Sequence, residues 1–414
     1  MPTPTTGESR ASPSPRYSEE TGSFARGLPV RHCWLTADDQ PDPICGLEVL
    51  SFRARCGAVA IAAEGIGGVE TLPHFRRQGH IGTLLNRVLP GMAERVDLAF
   101  VSDGIESLYE KFGFVTALGE GHLIVPVRSV ERMAASGADV SGAGTRAATP
   151  ADLPAVTALY NAVHADRPGT HERPPGWDRL IPHETWRPGS EALVLARDDT
   201  ILGYAVVVGR AFGDSVASLT VDEMAAVDLP AARRLLIDLS DRAWRLRVGE
   251  FRVNEPSDGV VGIATRETGC SYRQKNPGTG GMMARILNRA RLVEALEPEL
   301  RRRHSWPAPI EADDGRLEGQ RRRDHGSFAL PEAMLSGSLA RSTYDAAFDA
   351  LRDGRLLPDD RALVRLLLGH WSLREARAHG TTIPDRFRAV SETWFPGGGG
   401  PVLPTPYAHR LDRY

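Results

Sequence analysis

Residues 69–85 read Val-Glu-Thr-Leu-Pro-His-Phe-Arg-Arg-Gln-Gly-His-Ile-Gly-Thr-Leu-Leu and combine residue types that could bind an anion. A strand-like run ends at Pro73, a basic turn containing Gly79 follows, and apolar residues recur at helical spacing from Ile81. Such a turn presents free backbone N–H groups at a helix N-terminus, where the helix dipole favours negative charge. The segment therefore predicts a pyrophosphate site, with an ordinary basic surface turn before an amphipathic helix as the alternative.

A second motif follows the next strand-like segment. Residues 98–101 (Leu-Ala-Phe-Val) predict a strand, and residues 106–111 predict a short helix that is closed by Gly113. The motif itself spans residues 107–114 (Ser-Leu-Tyr-Glu-Lys-Phe-Gly-Phe). Together the two motifs, V-x-T-x-P-x-x-R-R-x-G and L-Y-x-K-F-G-F, resemble the acetyl-CoA-binding core of the GCN5-related N-acetyltransferase superfamily. The resemblance implies an acetyl-CoA-binding domain over residues 28–133.

The composition sets the limits within which such a domain can lie. The chain has 414 residues, 41% hydrophobic and 25% charged, which suits a globular protein of two or three domains. A formal net charge of −3 gives no electrostatic footprint for nucleic acid or an anionic membrane. Four cysteines (Cys33, Cys45, Cys56 and Cys270) lack C-x-x-C spacing, which predicts reduced thiols in a cytoplasmic protein without a metal site. Residues 1–27, rich in Pro, Ser, Thr and Gly, predict a disordered tail and neither a targeting nor a transmembrane segment.

A second unit, predicted over residues 145–290, repeats the order of strands and helices of the first. Where the pyrophosphate turn should lie it reads Asp228-Leu229-Pro230-Ala231, with no basic residue and no glycine. An acidic residue at that point would repel a phosphate. We therefore interpret the second unit as a degenerate repeat that does not hold the cofactor.

The whole plan resembles the enhanced-intracellular-survival (Eis) acetyltransferases. They join an active acetyltransferase domain, a degenerate one and a C-terminal domain with a sterol-carrier-protein-like fold. The likeness rests on the motifs of the first unit, on residues 281–287 (Gly-Met-Met-Ala-Arg-Ile-Leu) and on a tail ending in the aromatic Tyr414. It implies an α/β (α+β) fold class: a mixed-sheet acetyltransferase fold twice in tandem, then an α+β sterol-carrier-like domain over residues 291–414. It also implies a homo-oligomer, which is a hexamer in that family.

The resemblance assigns cofactor-binding roles to residues of the first unit. The backbone of Val69, Glu70 and Thr71 would pair with the pantetheine arm of acetyl-CoA like an added strand. The pyrophosphate would be held by the turn and the start of the helix: Arg76, Arg77, Gln78, Gly79, His80, Ile81, Gly82 and Thr83. Ile81 stands where other acetyltransferases have a second glycine, and His80 is expected to face solvent.

The chemistry of acyl transfer needs a base for the amine proton and an acid for the leaving thiolate. Tyr109 matches the general acid of the family, and packing of its ring beneath the cofactor is the alternative role. The family base is the C-terminal carboxylate, here that of Tyr414. With an ordinary pKa of about 3.3–3.7 this carboxylate is a weak base unless it is desolvated, and a frayed chain end is the alternative.

The sequence departs from the superfamily before residue 69. Superfamily members place two helices between their first two strands, and those helices wall the acceptor site. Residues 28–68 contain mainly strand-like segments, so the first strand and its helices are predicted to be absent or much reduced. The acceptor pocket is then expected to be more open, or completed by another domain or subunit.

The predicted function is acetyl-CoA-dependent transfer of an acetyl group to a primary amine of a small molecule, aminoglycoside-like or another natural product. One alternative is a biosynthetic tailoring acyltransferase that uses another acyl-CoA. The other is a CoA-binding but inactive assembly or sensor protein, suggested by the missing acceptor-side helices. Neither a metal nor a nucleic-acid or membrane partner is expected.

Overall fold

A computed structural model describes residues 15–23, 29–38, 40, 42–135, 142–174, 190–212, 215–275, 281–304 and 341–395 of the chain. These residues form two mixed β-sheets with helices packed on them, which confirms the predicted α/β fold class with mixed sheets. In this part of the chain, no helix has both the length and the apolar character that crossing a bilayer requires.

The secondary structure falls into three stretches. The first comprises β1 (Arg16–Ser23), β2 (Pro29–Thr36), β3 (Cys45–Cys56), β4 (Val59–Thr71), α1 (His80–Arg95), β5 (Leu98–Gly104), α2 (Glu106–Tyr109), β6 (Val115–Leu118), β7 (Glu120–Pro126) and α3 (Val127–Ala135). The second comprises β8 (Gly144–Ala147), α4 (Leu153–Val163), β9 (His171–Glu172), β10 (Ser190–Arg197), β11 (Thr200–Phe212), β12 (Ser215–Ala226), α5 (Leu229–Arg245), β13 (Glu250–Val253), α6 (Val260–Arg266), β14 (Ser271–Lys275) and β15 (Gly281–Ile286). The third comprises α7 (Arg289–Ala295), α8 (Glu297–His304), α9 (Arg341–Arg352), α10 (Asp360–Leu367), α11 (Leu373–Ala378) and α12 (Arg388–Trp394).

The first sheet has the order β1-β2-β3-β4-β5-β15-β6, with the short β9 added against β3. Its neighbouring strands are antiparallel except β4 and β5, which run parallel. Strand β15 comes from the second stretch of the chain and inserts between β5 and β6, antiparallel to both.

The second sheet repeats this arrangement with the order β8-β10-β11-β12-β13-β7-β14. Here β12 and β13 are the parallel pair, and the strand inserted between β13 and β14 is β7, from the first stretch. Each sheet therefore has the same order of positions, and each receives its sixth position from the other half of the chain.

This exchange links the two units that were predicted over residues 28–133 and 145–290. Strand β7 of the first unit belongs to the second sheet, and β15 of the second unit belongs to the first sheet. The local sequence predicted a strand over residues 122–127, and residues 281–287 were part of the family resemblance. Which sheet a strand joins depends on packing far away in the chain, and local propensity carries no information on that.

The predicted disordered tail over residues 1–27 is also wrong in part, because Arg16–Ser23 forms strand β1 along the edge of the first sheet. Its sequence, RYSEETGS, contains one large apolar residue, the half-buried Tyr17, so it gave no hydrophobic alternation. The first strand is thus present. Only residues 24–28 lie between β1 and β2, a stretch too short for the two helices of the superfamily.

Helix α1 covers one face of the first sheet. Its buried residues recur every three or four positions along one stripe: Leu84, Leu85, Val88, Leu89 and Met92. They share a core with the inward side chains of β2, β3 and β5 and with Tyr109 and Phe114 beyond β5. This packing fixes the start of α1 beside the end of β4.

The opposite face of the first sheet is covered by the helices of the third stretch. Phe52, Phe100 and Ala284 on the sheet share one core with Leu363 and Trp394 from these helices. In the second sheet the face opposite α5 is covered in part by α4. In the sequence, α4 lies between β8 and β10, the first two strands of that sheet. The third stretch thus supplies a cover that the short β1–β2 connection does not.

The described parts of residues 289–395 contain helices and no strand, and they share their core with the first sheet. A separate α+β sterol-carrier-like domain is therefore not seen among them. Residues 305–340 and 396–414 of the predicted domain lie outside the described residues.

Candidate functional site

The site begins where strands β4 and β5 separate. They pair from Ala63–Leu98 to Ile66–Val101, and beyond that point β4 continues to Thr71 without β5 beside it. Between Gly46 and Glu48 the register of β3 against β4 shifts, and Gly68 has a φ of +55° in the left-handed region. A bulge of this kind bends the strand and increases its twist. The β4 edge from Gly67 to Thr71 is therefore not paired with β5, and we call the space beside this edge the slot.

Two exposed apolar residues flank this slot. Leu72, directly after β4, is 39% exposed, and Ile105, directly after β5, is 54% exposed. Large apolar side chains at such exposure, one on each side of an opening, suit a ligand with an extended apolar arm.

The slot leads to the N-terminus of α1. A 3-10 turn over Pro73–Phe75 connects β4 to the basic turn, and α1 starts behind Gly79, which has a φ of +84° and offers no capping side chain. The first bond within the helix runs from the Thr83 N–H to the Gly79 carbonyl at 3.0 Å. The N–H groups of the preceding residues therefore have no acceptor in the helix and point out of its positive end.

The basic residues of the turn are exposed around these amides. Arg77 has a φ of +64°, which is uncommon for a residue with a side chain. The Arg76 guanidinium donates from Nε to the Thr71 carbonyl at 3.1 Å, and Gln78 donates from Nε2 to the His74 carbonyl at 2.9 Å. A Cβ placed on Gly79 would meet nothing within 4 Å, so the space in front of the helix is open. This chemistry fits a phosphate-bearing ligand.

The remaining predicted residues lie around the same turn. Val69 packs its side chain towards α1, whereas the neighbouring Glu70 is exposed. Ile81 packs partly against the α1 core, and a Cβ on Gly82 would lie 3.6 Å from the Phe112 ring. His80 was expected to face solvent, but it is half-buried, with its ring centroid 6.0 Å from that of Phe75.

Tyr109 is 4% exposed and lies in the α1 core, edge-on to Phe114 with ring centroids 5.9 Å apart. Burial, with a smaller contribution from Cys45, raises the pKa of the Tyr109 phenol. Cys45 pairs with Thr71 across β3 and β4, and burial raises the pKa of its thiol. The phenol is thus held protonated near the β4 edge of the slot. Tyr414, the other predicted catalytic residue, lies outside the described residues.

The second sheet has the same strand order, but its own side chains occupy the corresponding helix N-terminus and strand edge. The N-cap of α5 is Asp228, whose carboxylate accepts the Ala231 N–H at 2.9 Å, and Pro230 has no N–H to offer. On the β12 edge, the Met224 N–H donates to Oε1 of Glu255 at 2.9 Å. Burial raises the pKa of Glu255 well above its ordinary value.

Further buried polar groups form hydrogen bonds and ion pairs with one another beside the β12 edge. Arg173 forms a two-pronged ion pair with Glu223 at 2.9 and 2.7 Å, and the Tyr204 hydroxyl donates to the same carboxylate at 2.6 Å. Asn254 donates to Asp222 at 3.0 Å. The second slot is filled by an internal network where the first is open.

No family model matches the chain. Two curated proteins are similar to parts of it. An uncharacterized N-acetyltransferase of Streptomyces coelicolor is 29% identical over 226 residues, covering 48% of this chain and 54% of the relative. Another, of Streptomyces avermitilis, is 30% identical over 162 residues, covering 37% of this chain and 39% of the relative. The chain thus matches about half the length of these relatives, or less.

Among solved structures, a GCN5-related N-acetyltransferase from Anabaena variabilis superposes with a TM-score of 0.62 at 14% identity, over 92% of this chain and 89% of that one. The fold is that of the GCN5-related N-acetyltransferases. At this identity the likeness concerns the fold alone. In this acetyltransferase fold, the slot and the uncapped helix of the first sheet form the candidate site.

One pair beside the candidate site was not identified from the sequence. His32 and Glu48 are cross-strand partners on β2 and β3, with Nδ1 of His32 3.3 Å from Oε1 of Glu48. Glu48 also lies against the bulge, because a Cβ on Gly68 would be 3.3 Å from its Cδ. The two residues are far apart in sequence and meet through strand register, so no local motif could have signalled them. In the described part of the chain, no group of three or more His, Cys, Asp or Glu could hold a metal ion.

Proposed function

We propose that this protein is an acyl-CoA-dependent N-acetyltransferase that transfers an acetyl group directly to a primary amine of a small molecule. The observation that carries the proposal is the open slot between β4 and β5, which ends at the uncapped, basic N-terminus of α1. The names of the curated relatives support the same activity.

In this proposal the β4 edge and the turn hold coenzyme A. The backbone of Val69, Glu70 and Thr71 pairs with the pantetheine arm, because this edge is not used by β5. The amides at the start of α1 and the guanidinium groups of Arg76 and Arg77 bind the pyrophosphate. Both kinds of donor commonly form charge-assisted hydrogen bonds to phosphate oxygens.

Tyr109 serves as the acid in this reaction. Its raised pKa keeps the phenol protonated near neutral pH, so that a proton is available to the leaving thiolate. The base predicted from the family resemblance is the carboxylate of Tyr414, which lies outside the described residues. The second sheet has a structural role, because Asp228 and Glu255 occupy the donors that a cofactor would need.

The same resemblance supports a homo-oligomer and an acceptor that is an aminoglycoside-like amine or another natural product. The four scattered cysteines support a cytoplasmic location. Transfer of a longer acyl group remains the alternative within the same site. The alternative of an inactive sensor protein was suggested by the missing acceptor-side helices. It is less well supported, because the helices of the third stretch cover the face of the first sheet on which we expected those helices.

The test combines binding and turnover. The full chain should bind CoA in a calorimetric titration and release free thiol from acetyl-CoA when primary amines are supplied. Tyr109→Phe should lower kcat about 100-fold or more while CoA affinity stays unchanged, because it removes the acid and little else. Tight CoA binding with no transfer to any amine would contradict the proposal, and a panel of acyl-CoA thioesters would define the acyl group.

A further inference from the structure

The pair formed by His32 and Glu48 lies on the face of the first sheet that is opposite to α1. Cys33 and Leu47, their neighbours in sequence, point into the α1 core, so strand alternation directs His32 and Glu48 to the other face. The side chains are 35% and 38% exposed, so a small molecule could reach them.

Glu48 lies close to the point where a bound thioester should end. Five strand residues from Gly67 to Thr71 span about 16 Å at about 3.3 Å per residue, comparable with an extended pantetheine arm. With its pyrophosphate at the start of α1, such an arm places its sulfur at the bulge. There the Glu48 side chain lies beside Gly68: a Cβ on that glycine would be 3.3 Å from Cδ and 3.4 Å from Oε2 of Glu48.

We propose that Glu48 is the catalytic base that takes the proton of the acceptor amine and that His32 positions it. The proposal rests on the proposed function and assigns the base within the described residues instead of at the carboxylate of Tyr414. Nδ1 of His32 lies 3.3 Å from Oε1 of Glu48 and holds this oxygen in place, which leaves Oε2 towards the bulge and the incoming amine.

The other acidic residues near the site are less suited to this role. Glu64, on β4, is 2% exposed and paired with Arg31 at 3.0 Å and Arg95 at 3.1 Å, on the α1 side of the sheet. Glu20 faces His32 from β1, and Glu70 shares the Glu48 face further along β4, but the three atoms nearest a Cβ on Gly68 all belong to Glu48. Glu48 alone among them combines contact with the bulge and a histidine partner.

The acceptor enters as an ammonium, and its nitrogen loses two protons as the nitrogen–carbonyl bond forms and the carbon–sulfur bond breaks. One proton passes to Glu48 and from this partly exposed carboxylate to solvent. The second replaces the phenol proton that Tyr109 has given to the leaving sulfur. The products are the amide, the free thiol and one solvated proton.

The experiment uses the full chain with acetyl-CoA and the best amine of the panel. Glu48→Gln should lower kcat about 100-fold or more, with the CoA Kd unchanged within about two-fold, as loss of a base without loss of cofactor binding requires. The loss should be smaller with hydrazine, which is already neutral at the assay pH. Formate should restore part of the rate of Glu48→Ala, a rescue that a structural defect would not show.

His32→Asn should give a smaller loss in kcat with little change in KM. Glu20→Gln, which alters a charge on the same face outside the proposed machinery, is the matched control and should retain the wild-type rate. Wild-type rates in Glu48→Gln, or the absence of both formate rescue and the hydrazine effect, would overturn the proposal. Loss of activity only on removal of Tyr414 would assign the base to the terminal carboxylate. Absence of transfer by the wild type would instead contradict the proposed function.

Discussion

Helices α1 and α5 hold the same position in two sheets of the same strand order. They differ in whether a side chain caps the backbone N–H groups at the helix N-terminus. Helix α1 starts behind Gly79 with no capping side chain, beside exposed arginines. Helix α5 starts behind Asp228, whose carboxylate already occupies an amide at the positive end of the helix. The first terminus can receive an anion from solution, whereas the second carries one in its own sequence.

The strands leading to these helices differ in the same way. Beyond Ile66 the β4 edge has no partner in β5, whereas on β12 the Met224 amide is taken by the buried Glu255. The two sheets thus share their strand order and differ in a few polar groups, and in our proposal these groups decide which slot binds coenzyme A. The proposal also predicts that these groups can be exchanged with measurable results.

The largest effect is expected from giving the first unit the acidic cap of the second. Gly79→Asp should weaken CoA binding about 100-fold or more, about 2.7 kcal/mol, because a carboxylate would meet the pyrophosphate at the helix end. Gly79→Asn is the matched control, since it has the same shape without charge and asparagine tolerates a positive φ. Calorimetric titration with CoA checks the pair, and equal affinities in both variants would contradict the assignment of this turn.

A smaller, pH-dependent effect is expected from Glu255 in the second slot. Because burial raises its pKa in the folded state, the unfolded chain releases this proton first as the pH rises above the ordinary value of about 4.3. Glu255 therefore costs stability progressively as the pH rises towards its folded-state pKa. Urea unfolding at about pH 5 and about pH 8 should show Glu255→Gln gaining stability relative to wild type at the higher pH. A difference that does not change with pH would show that Glu255 is already ionised in the fold.

The smallest effect is expected from removing the cap of α5. Asp228→Ala should cost about 1 kcal/mol of unfolding free energy through the lost bond to the Ala231 amide. It should not create a second CoA site, because Glu255 still holds the Met224 amide and Pro230 offers no donor. Chemical unfolding and the stoichiometry of CoA binding check the two statements. A second equivalent of bound CoA would show that the cap alone closes the second unit.

Much of the first unit could be predicted from sequence because its signals are local. The turn with Gly79, the apolar stripe of α1 and the closing Gly113 each follow from neighbouring residues, and the structure has α1 from His80. Strand β1 was missed because an edge strand with one apolar residue lacks alternation. The exchange of β7 and β15 was missed because the partner of a strand is set by contacts distant in sequence.

The candidate site divides in the same way. The acidic cap at Asp228 could be recognised from its position before an apolar helix. Glu255 as the partner of the Met224 amide, and the contact between His32 and Glu48, require the three-dimensional register of strands. The cover of the first sheet by the third stretch could not be anticipated either, since helices predicted as a separate domain carry no sign of what they pack on.

Hydrogen exchange of backbone amides with and without CoA tests most directly whether coenzyme A binds in the first slot and not in the second. We predict that CoA slows exchange at residues 67–72 and 79–83, along the β4 edge and the start of α1, and leaves residues 222–232 unchanged. Slower exchange at residues 222–232, or no change at residues 79–83 under saturating CoA, would contradict this prediction.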